Sequence, residues 1–324
     1  MEYRNIGASG LMVSVVGFGA NNLGRKGAPT EDVEGATRAV RHALDLGINF
    51  FDCADCYGKT PGLAETYLGK ALGKDRDKAV VVTKFGMDMQ GVNGEDYGAR
   101  GSRSYIMKAV ESSLKRLNTD YIDLLYYHSP DGITPIEETL SALDALIKQG
   151  KVRYIGSSNF AGWQIADAAH TAADMGVEPF IACENHYNLI DRRAELEVIP
   201  AAEHFNLGVI PYFPLANGLL TGKYAKGSAP TGSRLSHTKQ DLLDKTDFDQ
   251  LNRFADFAKE RDLTPVQVAF SWLASRPQVS SVIAGATTPE QLEDNATAVC
   301  WWPTPEDEAA LGKIFPKPKR IALF

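Results

Sequence analysis

The sequence predicts a parallel (β/α)8 barrel. Three observations point to it. Short apolar or β-branched runs alternate with amphipathic helical stripes eight times along 324 residues, the pattern of a parallel sheet with helical crossovers. No Gly-x-Gly-x-x-Gly follows any of the strand-like runs, so an open dinucleotide-binding sheet lacks its fingerprint. No linker, composition shift or internal repeat divides the chain. The expectation is one domain over residues 1–324, with an N-terminal β-hairpin before the barrel and long loops at its C-terminal face.

The elements follow in order. Residues 4–13 carry a Gly7-Ala8-Ser9-Gly10 turn between two short segments, which predicts the hairpin. Residues 13–19 form the first apolar strand, and the polar, Gly-rich stretch 21–29 is a loop. Residues 32–46 place Val33, Ala36, Val40, Ala43 and Leu44 on one helical stripe that Gly47 ends. A strand at 50–52 and a helix at 63–72 come next, then the β-branched strand 79–84. The helix 104–118 has Ile106, Ala109, Val110, Leu114 and Leu117 on one face, and a strand follows at 122–128. Thr134-Pro135-Ile136-Glu137 predicts a capping box with proline at the first helical position, opening a helix to 149. Strands at 152–156, 180–184 and 208–212 alternate with helices at 163–175 and 193–205. A long polar connection spans 213–247. Helices follow at 248–261 and after the cap Thr264-Pro265-Val266-Gln267, then the eighth strand at 281–283. Thr288-Pro289-Glu290-Gln291 starts a helix to 299, and Thr304-Pro305-Glu306 a last short one.

Composition narrows the function. Hydrophobic residues make up 44% and charged residues 23%, ordinary for a soluble globular protein. A net charge of −7 argues against nucleic acid as the main partner. No run reaches the ~18 apolar residues of a membrane span, and the polar start does not read as a signal peptide. Four cysteines make no disulfide framework, and the expected location is the cytoplasm. Cys53 and Cys56 form a C-x-x-C without a second ligand pair, so no metal site is expected.

Ionisable groups end three successive strands. Asp52 follows Phe50-Phe51, with Tyr57 on the loop beyond; Lys84 follows Val80-Val81-Val82-Thr83; His128 follows Leu124-Leu125-Tyr126-Tyr127. Singly, each reads as a cap, a solvated charge or a packing residue. Jointly they deliver four functional groups to the C-terminal rim, where barrels place chemistry. A phenol with a pKa of about 10 is a poor acid, and a nearby ammonium is expected to lower it. A carboxylate would hold that ammonium, and a histidine could orient a carbonyl or relay the proton. The set suits protonation of an oxyanion as a carbonyl is reduced, or the reverse. It holds no hydride source, so a cofactor is required. Candidate holders lie in the second half: Gly156-Ser157-Ser158-Asn159, Pro211-Tyr212-Phe213-Pro214, the Gly218–Lys223 segment and Gly285-Ala286-Thr287-Thr288. The last precedes a helix N-terminus, a ready anion site.

These residues resemble the aldo-keto reductases, NAD(P)H-dependent oxidoreductases on a (β/α)8 barrel, and their bacterial-type branch most. The similarity runs through Tyr3-Arg4-Asn5-Ile6-Gly7, Asn49-Phe50-Phe51-Asp52 to Tyr57-Gly58, Thr83-Lys84-Phe85, Leu114-Lys115-Arg116-Leu117, Asp120-Tyr121-Ile122-Asp123-Leu124, His128 and Gly150-Lys151-Val152-Arg153-Tyr154-Ile155-Gly156-Ser157-Ser158-Asn159-Phe160. The resemblance implies Tyr57 as general acid/base, tuned by Asp52 and Lys84, with His128 orienting the carbonyl. It implies Ser158 and Asn159 at the nicotinamide carboxamide and Tyr212 stacked on its ring. Phe213, Pro214, Leu215, Gly218, Leu220 and Lys223 would line the pyrophosphate channel, and Thr287, Thr288, Gln291, Asp294 and Asn295 would hold the adenosine end. The chain departs from the family at Glu184, where the pattern has Gln before Asn-x-x-Tyr; a carboxylate accepts from the carboxamide but cannot donate unless protonated. Altered cofactor binding is the expectation. The resemblance implies NADP(H) ahead of NAD(H); hydroxyls rather than Arg or Lys near 286–288 leave NAD(H) open. The substrate class implied is a small carbonyl, and Ser129 beside His128 points weakly to a sugar-like one. Two alternatives stand: a cofactor-binding sensor or regulatory subunit with little turnover, and a phosphate-sugar lyase or isomerase that would need no nicotinamide.

Overall fold

The computed structural model describes residues 1–225, 235 and 240–319. Eight parallel strands form a nearly closed barrel: β3 (Val16–Gly19), β4 (Phe50–Asp52), β5 (Val80–Phe85), β6 (Ile122–Tyr127), β7 (Val152–Ser158), β8 (Ala182–His186), β9 (Gly208–Tyr212) and β10 (Val282–Ala284). Each pairs with its sequence neighbour, and β10 pairs back onto β3. The seam between β9 and β10 is bridged just before β10, where Val209 donates to Gln278 at 2.7 Å and accepts from Ser280 at 3.1 Å.

The helices are α1 (Val33–Asp45), α2 (Leu63–Leu72), α3 (Arg103–Leu117), α4 (Ile136–Lys148), α5 (Gly162–Met175), α6 (Val198–His204), the short α7 (Gln240–Asp244), α8 (Phe248–Lys259), α9 (Pro265–Ala274), α10 (Pro289–Ala296) and α11 (Pro305–Ile314). Their starts are written locally. Thr264 accepts from Gln267 N while Gln267 returns the bond, a full capping box with Pro265 in the first turn. Thr288 accepts from Gln291 N at the start of α10, and Thr304 and Asp307 form a second full capping box at α11.

Two apolar layers hold the fold. The larger lies between sheet and helices; the smaller fills the barrel with Phe50, Val82, Leu124, Tyr126, Ala182, Ile210 and Ile283. The hairpin β1 (Tyr3–Asn5) and β2 (Met12–Ser14) adds Ile6 and Val13 to that inner cluster and stops the barrel's N-terminal end. Gly7, at φ +54°, docks its turn there: a Cβ would lie 2.3 Å from Asn206 O. Gly156 makes room for an inner aromatic, since a Cβ would meet the Tyr126 ring at 2.4 Å.

Several boundaries differ from the sequence reading. The predicted box at Thr134 is absent: Pro135 is the N-cap of α4, and the Thr134 hydroxyl donates to Asp131 at 2.8 Å. Asp131 also collects the N–H groups of Ile133, Thr134 and Gly101, and this turn outcompetes the cap. The helix expected over 193–205 is a 3-10 turn at Arg193–Glu195 followed by α6. Pro200 explains the break, because proline fits only a helix's first turn, and α6 begins two residues before it. The strand expected at 13–19 is shared between β2 and β3. Strands β7 and β8 end two residues later than expected, so Ser158 and His186 lie within them and Glu184 is interior to its strand rather than its last residue. In the long connection 213–247, a 3-10 segment covers Ala216–Thr221; residues 226–234 and 236–239 lie outside the described residues.

Candidate active site

Side chains alternate across a strand, so the residue two beyond an inward apolar residue also faces inward. Above Phe50 stands Asp52, above Val82 stands Lys84, above Tyr126 stands His128, above Ala182 stands Glu184, and above Ile210 stands Tyr212. The polar residues are therefore the last layer of the barrel filling, at the strands' carboxyl ends. Lys84, fully buried, donates to Asp52 Oδ1 at 2.5 Å and to Cys53 O at 2.8 Å. Glu184 Oε2 lies 3.3 Å from the same Nζ. The ammonium sits 5.2 Å from the Tyr57 ring centre, and the Tyr57 and His128 rings meet edge to face at 5.9 Å. Asp52, Tyr57, Lys84 and His128 thus converge as the sequence predicted.

Burial dominates the electrostatics. It pushes the Tyr57 phenol well above its usual value, and Lys84 offsets only part of that. The expectation of a lowered phenol is corrected: in the protein by itself, desolvation of the phenolate exceeds the attraction of one ammonium. Burial would lower Lys84, but Asp52 and Glu184 outweigh it and hold it charged. Burial and then Lys84 drop His128 to about 3, so its imidazole is neutral. Burial, and next the Asp52 charge, lift Glu184 to about 8.

The second-half residues gather on the facing side of the mouth. Asn159, at φ +59°, donates to His128 O at 2.9 Å and to Ser158 Oγ at 3.1 Å, and accepts from the Tyr212 hydroxyl at 2.8 Å. After β9 the backbone is left-handed at Phe213, Ala216, Asn217 and Gly218. This carries Pro214 and Leu215 into a tight loop in which Leu220 is buried and Lys223 Nζ lies over the Tyr224 ring at 5.3 Å. At α10, Gln291 accepts from Thr287 N at 2.9 Å, Asn295 is buried, and Asp294 is exposed.

The sequence reading missed three features. His186 stacks on Tyr212 with centroids 5.3 Å apart and rings 7° from parallel; its position two residues past Glu184 on an inward face was the available signal. Behind Tyr57, buried Asp55 accepts from Asn93 at 3.1 Å, and Arg116 joins Asn93 (3.1 Å) to buried Glu65 (2.6 Å). This network ties the loop after β5 to the Tyr57 loop through α2 and α3. Cys56 Sγ lies 3.9 Å from His128 Nδ1, and burial pushes its thiol up to about 12, so it is no ready nucleophile. Among the described residues no helix is long and apolar enough to cross a membrane.

The model of the Aldo/keto reductase family matches residues 15–312. An uncharacterized oxidoreductase, YrpG, of Bacillus subtilis is 39% identical over 98% of this chain and 97% of its own. A probable voltage-gated potassium channel subunit beta of Oryza sativa is 38% identical over the whole of both chains. The L-glyceraldehyde 3-phosphate reductase of Escherichia coli is 33% identical over 92% of this chain and 88% of its own.

Proposed function

The chain belongs to the aldo/keto reductase family, and we propose that it reversibly reduces an aldehyde or ketone with a nicotinamide cofactor, using Tyr57 as the general acid/base. The observation that carries this reading is the buried Asp52–Lys84 pair set against the Tyr57 ring. The cofactor, when bound, supplies the hydride. Glu184 Oε2 is a buried acceptor that receives no hydrogen bond among the described residues. A carboxamide NH2 beside it would satisfy it, so this residue fits a nicotinamide. Ser158 and Asn159 would fix the same group, Tyr212 would support the ring, and Phe213, Pro214, Leu215, Gly218, Leu220 and Lys223 would enclose the pyrophosphate. Thr287, Thr288, Gln291, Asp294 and Asn295 would take the adenosine end, with NADP(H) ahead of NAD(H).

Tyr57 stays protonated in the resting protein because burial holds its proton. As negative charge develops on the carbonyl oxygen, the phenol releases that proton toward it. The phenolate left behind lies near the Lys84 ammonium, which stabilises it where water cannot. With the Cys56 thiol donating to its Nδ1, a neutral His128 would carry its proton on Nε2, free to donate to the same oxygen. Asp52 keeps Lys84 charged and aimed.

Relatives named as potassium channel subunits favour a second reading, a cofactor-binding regulatory subunit with little turnover. Single-turnover reduction of a nitrobenzaldehyde separates the two. Tyr57→Phe is expected to abolish that turnover and still quench with NADPH. Wild-type turnover in this variant would overturn the assignment.

A further inference from the structure

Asp52, Lys84 and Glu184 are three ionisable side chains in one dry layer, each less than 5% exposed. There are two carboxyls and one ammonium. Full ionisation would leave a net negative charge in the barrel interior, and burying it uncompensated costs more than binding a proton. Lys84 gives Asp52 its short hydrogen bond at 2.5 Å, while Glu184 Oε2, at 3.3 Å, receives none. Both carboxyls face the same ammonium, and burial together with the Asp52 charge favours a proton on Glu184. The geometry therefore leaves the proton with Glu184.

We propose that Glu184 holds an exchangeable proton beside the Asp52–Lys84 pair, and that losing it shifts the site's preference from the reduced, neutral nicotinamide to the oxidised, cationic one. This rests on the cofactor reading above. The reasoning is electrostatic. With the proton in place the layer is neutral and Glu184 both donates and accepts. Without it the layer carries one extra negative charge beside the nicotinamide site. The carboxamide is the same in both redox states of the cofactor; the ring charge is not. The extra charge attracts only the oxidised form.

The groups facing Glu184 do not confuse its titration. Tyr57 beyond β4, Tyr126 on β6 and Tyr212 on β9 are all raised by burial. Burial takes its neighbour Cys183 to about 12 and His128 to about 3, and Lys84 stays charged. Two titratable groups remain: Asp52, raised by burial but paired with Lys84, and His186, stacked on Tyr212 and 3.1 Å from Asp191. Glu184→Gln distinguishes Glu184 from both, because it removes the first carboxyl and keeps the other two groups.

The test measures dissociation constants for NADP+ and NADPH, and for NAD+ and NADH, by protein fluorescence quenching from about pH 6.5 to about pH 9.5, either side of the Glu184 value of about 8. In the wild type the ratio of oxidised to reduced dissociation constants is expected to fall roughly tenfold, one interacting charge in a partly desolvated site. In Glu184→Gln the ratio should stay flat. The same slope in both proteins, or a flat wild type, overturns the proposal. Infrared difference spectra of the cofactor-free protein provide an arm that does not depend on cofactor. A protonated-carboxyl band that disappears across the same pH range in the wild type and is missing in Glu184→Gln supports the Glu184 proton; a wild type without that band refutes it. If no nicotinamide binds either protein at any pH, the cofactor reading fails and, with it, the preference; the infrared result still decides the proton.

Discussion

Lys84→Met removes the one cation in the inner polar layer and keeps most of the side chain's volume. The Lys84 Nζ is 5.2 Å from the Tyr57 ring centre. At an effective dielectric constant of about 20, an ammonium and a phenolate at that distance attract by about 3 kcal/mol. That corresponds to roughly 200-fold in the ease of releasing the phenol proton. A second effect offsets part of it. Without Lys84, Asp52 and Glu184 lose their counter-charge, and both carboxyls take protons rather than stay ionised in a buried site. Tyr57 then loses a nearby cation and also a nearby anion. The expected loss in the chemical step lies between about tenfold and about 200-fold. Stopped-flow single turnover of a nitrobenzaldehyde at saturating NADPH measures it, with fluorescence quenching to confirm that the cofactor still binds. A variant that reduces the aldehyde at the wild-type rate would refute the role given to Lys84.

Arg116→Met strips the partner from buried Glu65 and the tether from Asn93; it should destabilise the protein by about 3 kcal/mol in urea unfolding, and a change under about 1 kcal/mol would mean Glu65 is neutralised at little cost. Gly156→Ala puts a methyl 2.4 Å from the Tyr126 ring, so thermal unfolding should report about 1–3 kcal/mol of overpacking; an unchanged melting temperature would show that β7 and Tyr126 yield freely. Asp131 is held below the usual carboxylate range: burial opposes this, but the N–H groups of Thr134, Gly101 and Ile133 prevail. The folded state therefore binds this proton less readily than the unfolded chain, so the group's contribution is present above about pH 4 and is lost as pH falls through the folded value. Urea midpoints between about pH 5 and about pH 3 should fall less steeply for Asp131→Asn than for the wild type, and identical slopes would remove Asp131 from the acid response.

Strand and helix order was legible because each element carries its own period. The branched run Val80-Val81-Val82 and the stripe Ile106, Ala109, Val110, Leu114 and Leu117 need no distant partner to be read. The cap at Thr264 was legible for the same reason, its two bonds lying within four residues. Thr134 opens the same pattern, Thr-Pro-x-Glu in place of Thr-Pro-x-Gln, and fails. Its competitor, Asp131, gains a bond from Gly101, thirty residues away, and nothing local announces that. Likewise the break before Pro200 was available in the proline itself, whereas the extensions of β7 and β8 come from partners across the sheet, Ser158 with Glu184 and His186 with Tyr212.

The site divides along the same line. Asp52, Lys84 and His128 end strands that are neighbours in sequence and in space, so their meeting could be read from one end of the chain. Glu184 comes from β8, which is not hydrogen-bonded to β4 or β5. It reaches Lys84 only because the barrel closes and its inward residues meet across the axis. Read as the last residue of its strand it has only a cofactor to face; in the closed barrel it also faces a buried ion pair. That difference sets its chemistry. A layer of Asp52, Lys84 and Glu184 is costly where the layers below hold Phe50, Val82, Ala182 and Ile210, and apolar replacements of a buried ion pair are often neutral or stabilising. Packing alone gives no reason for two carboxyls to share one ammonium there. The charge lies at the mouth of the barrel, with Lys84 5.2 Å from the Tyr57 ring centre, the arrangement that the proposed proton transfer by Tyr57 would use.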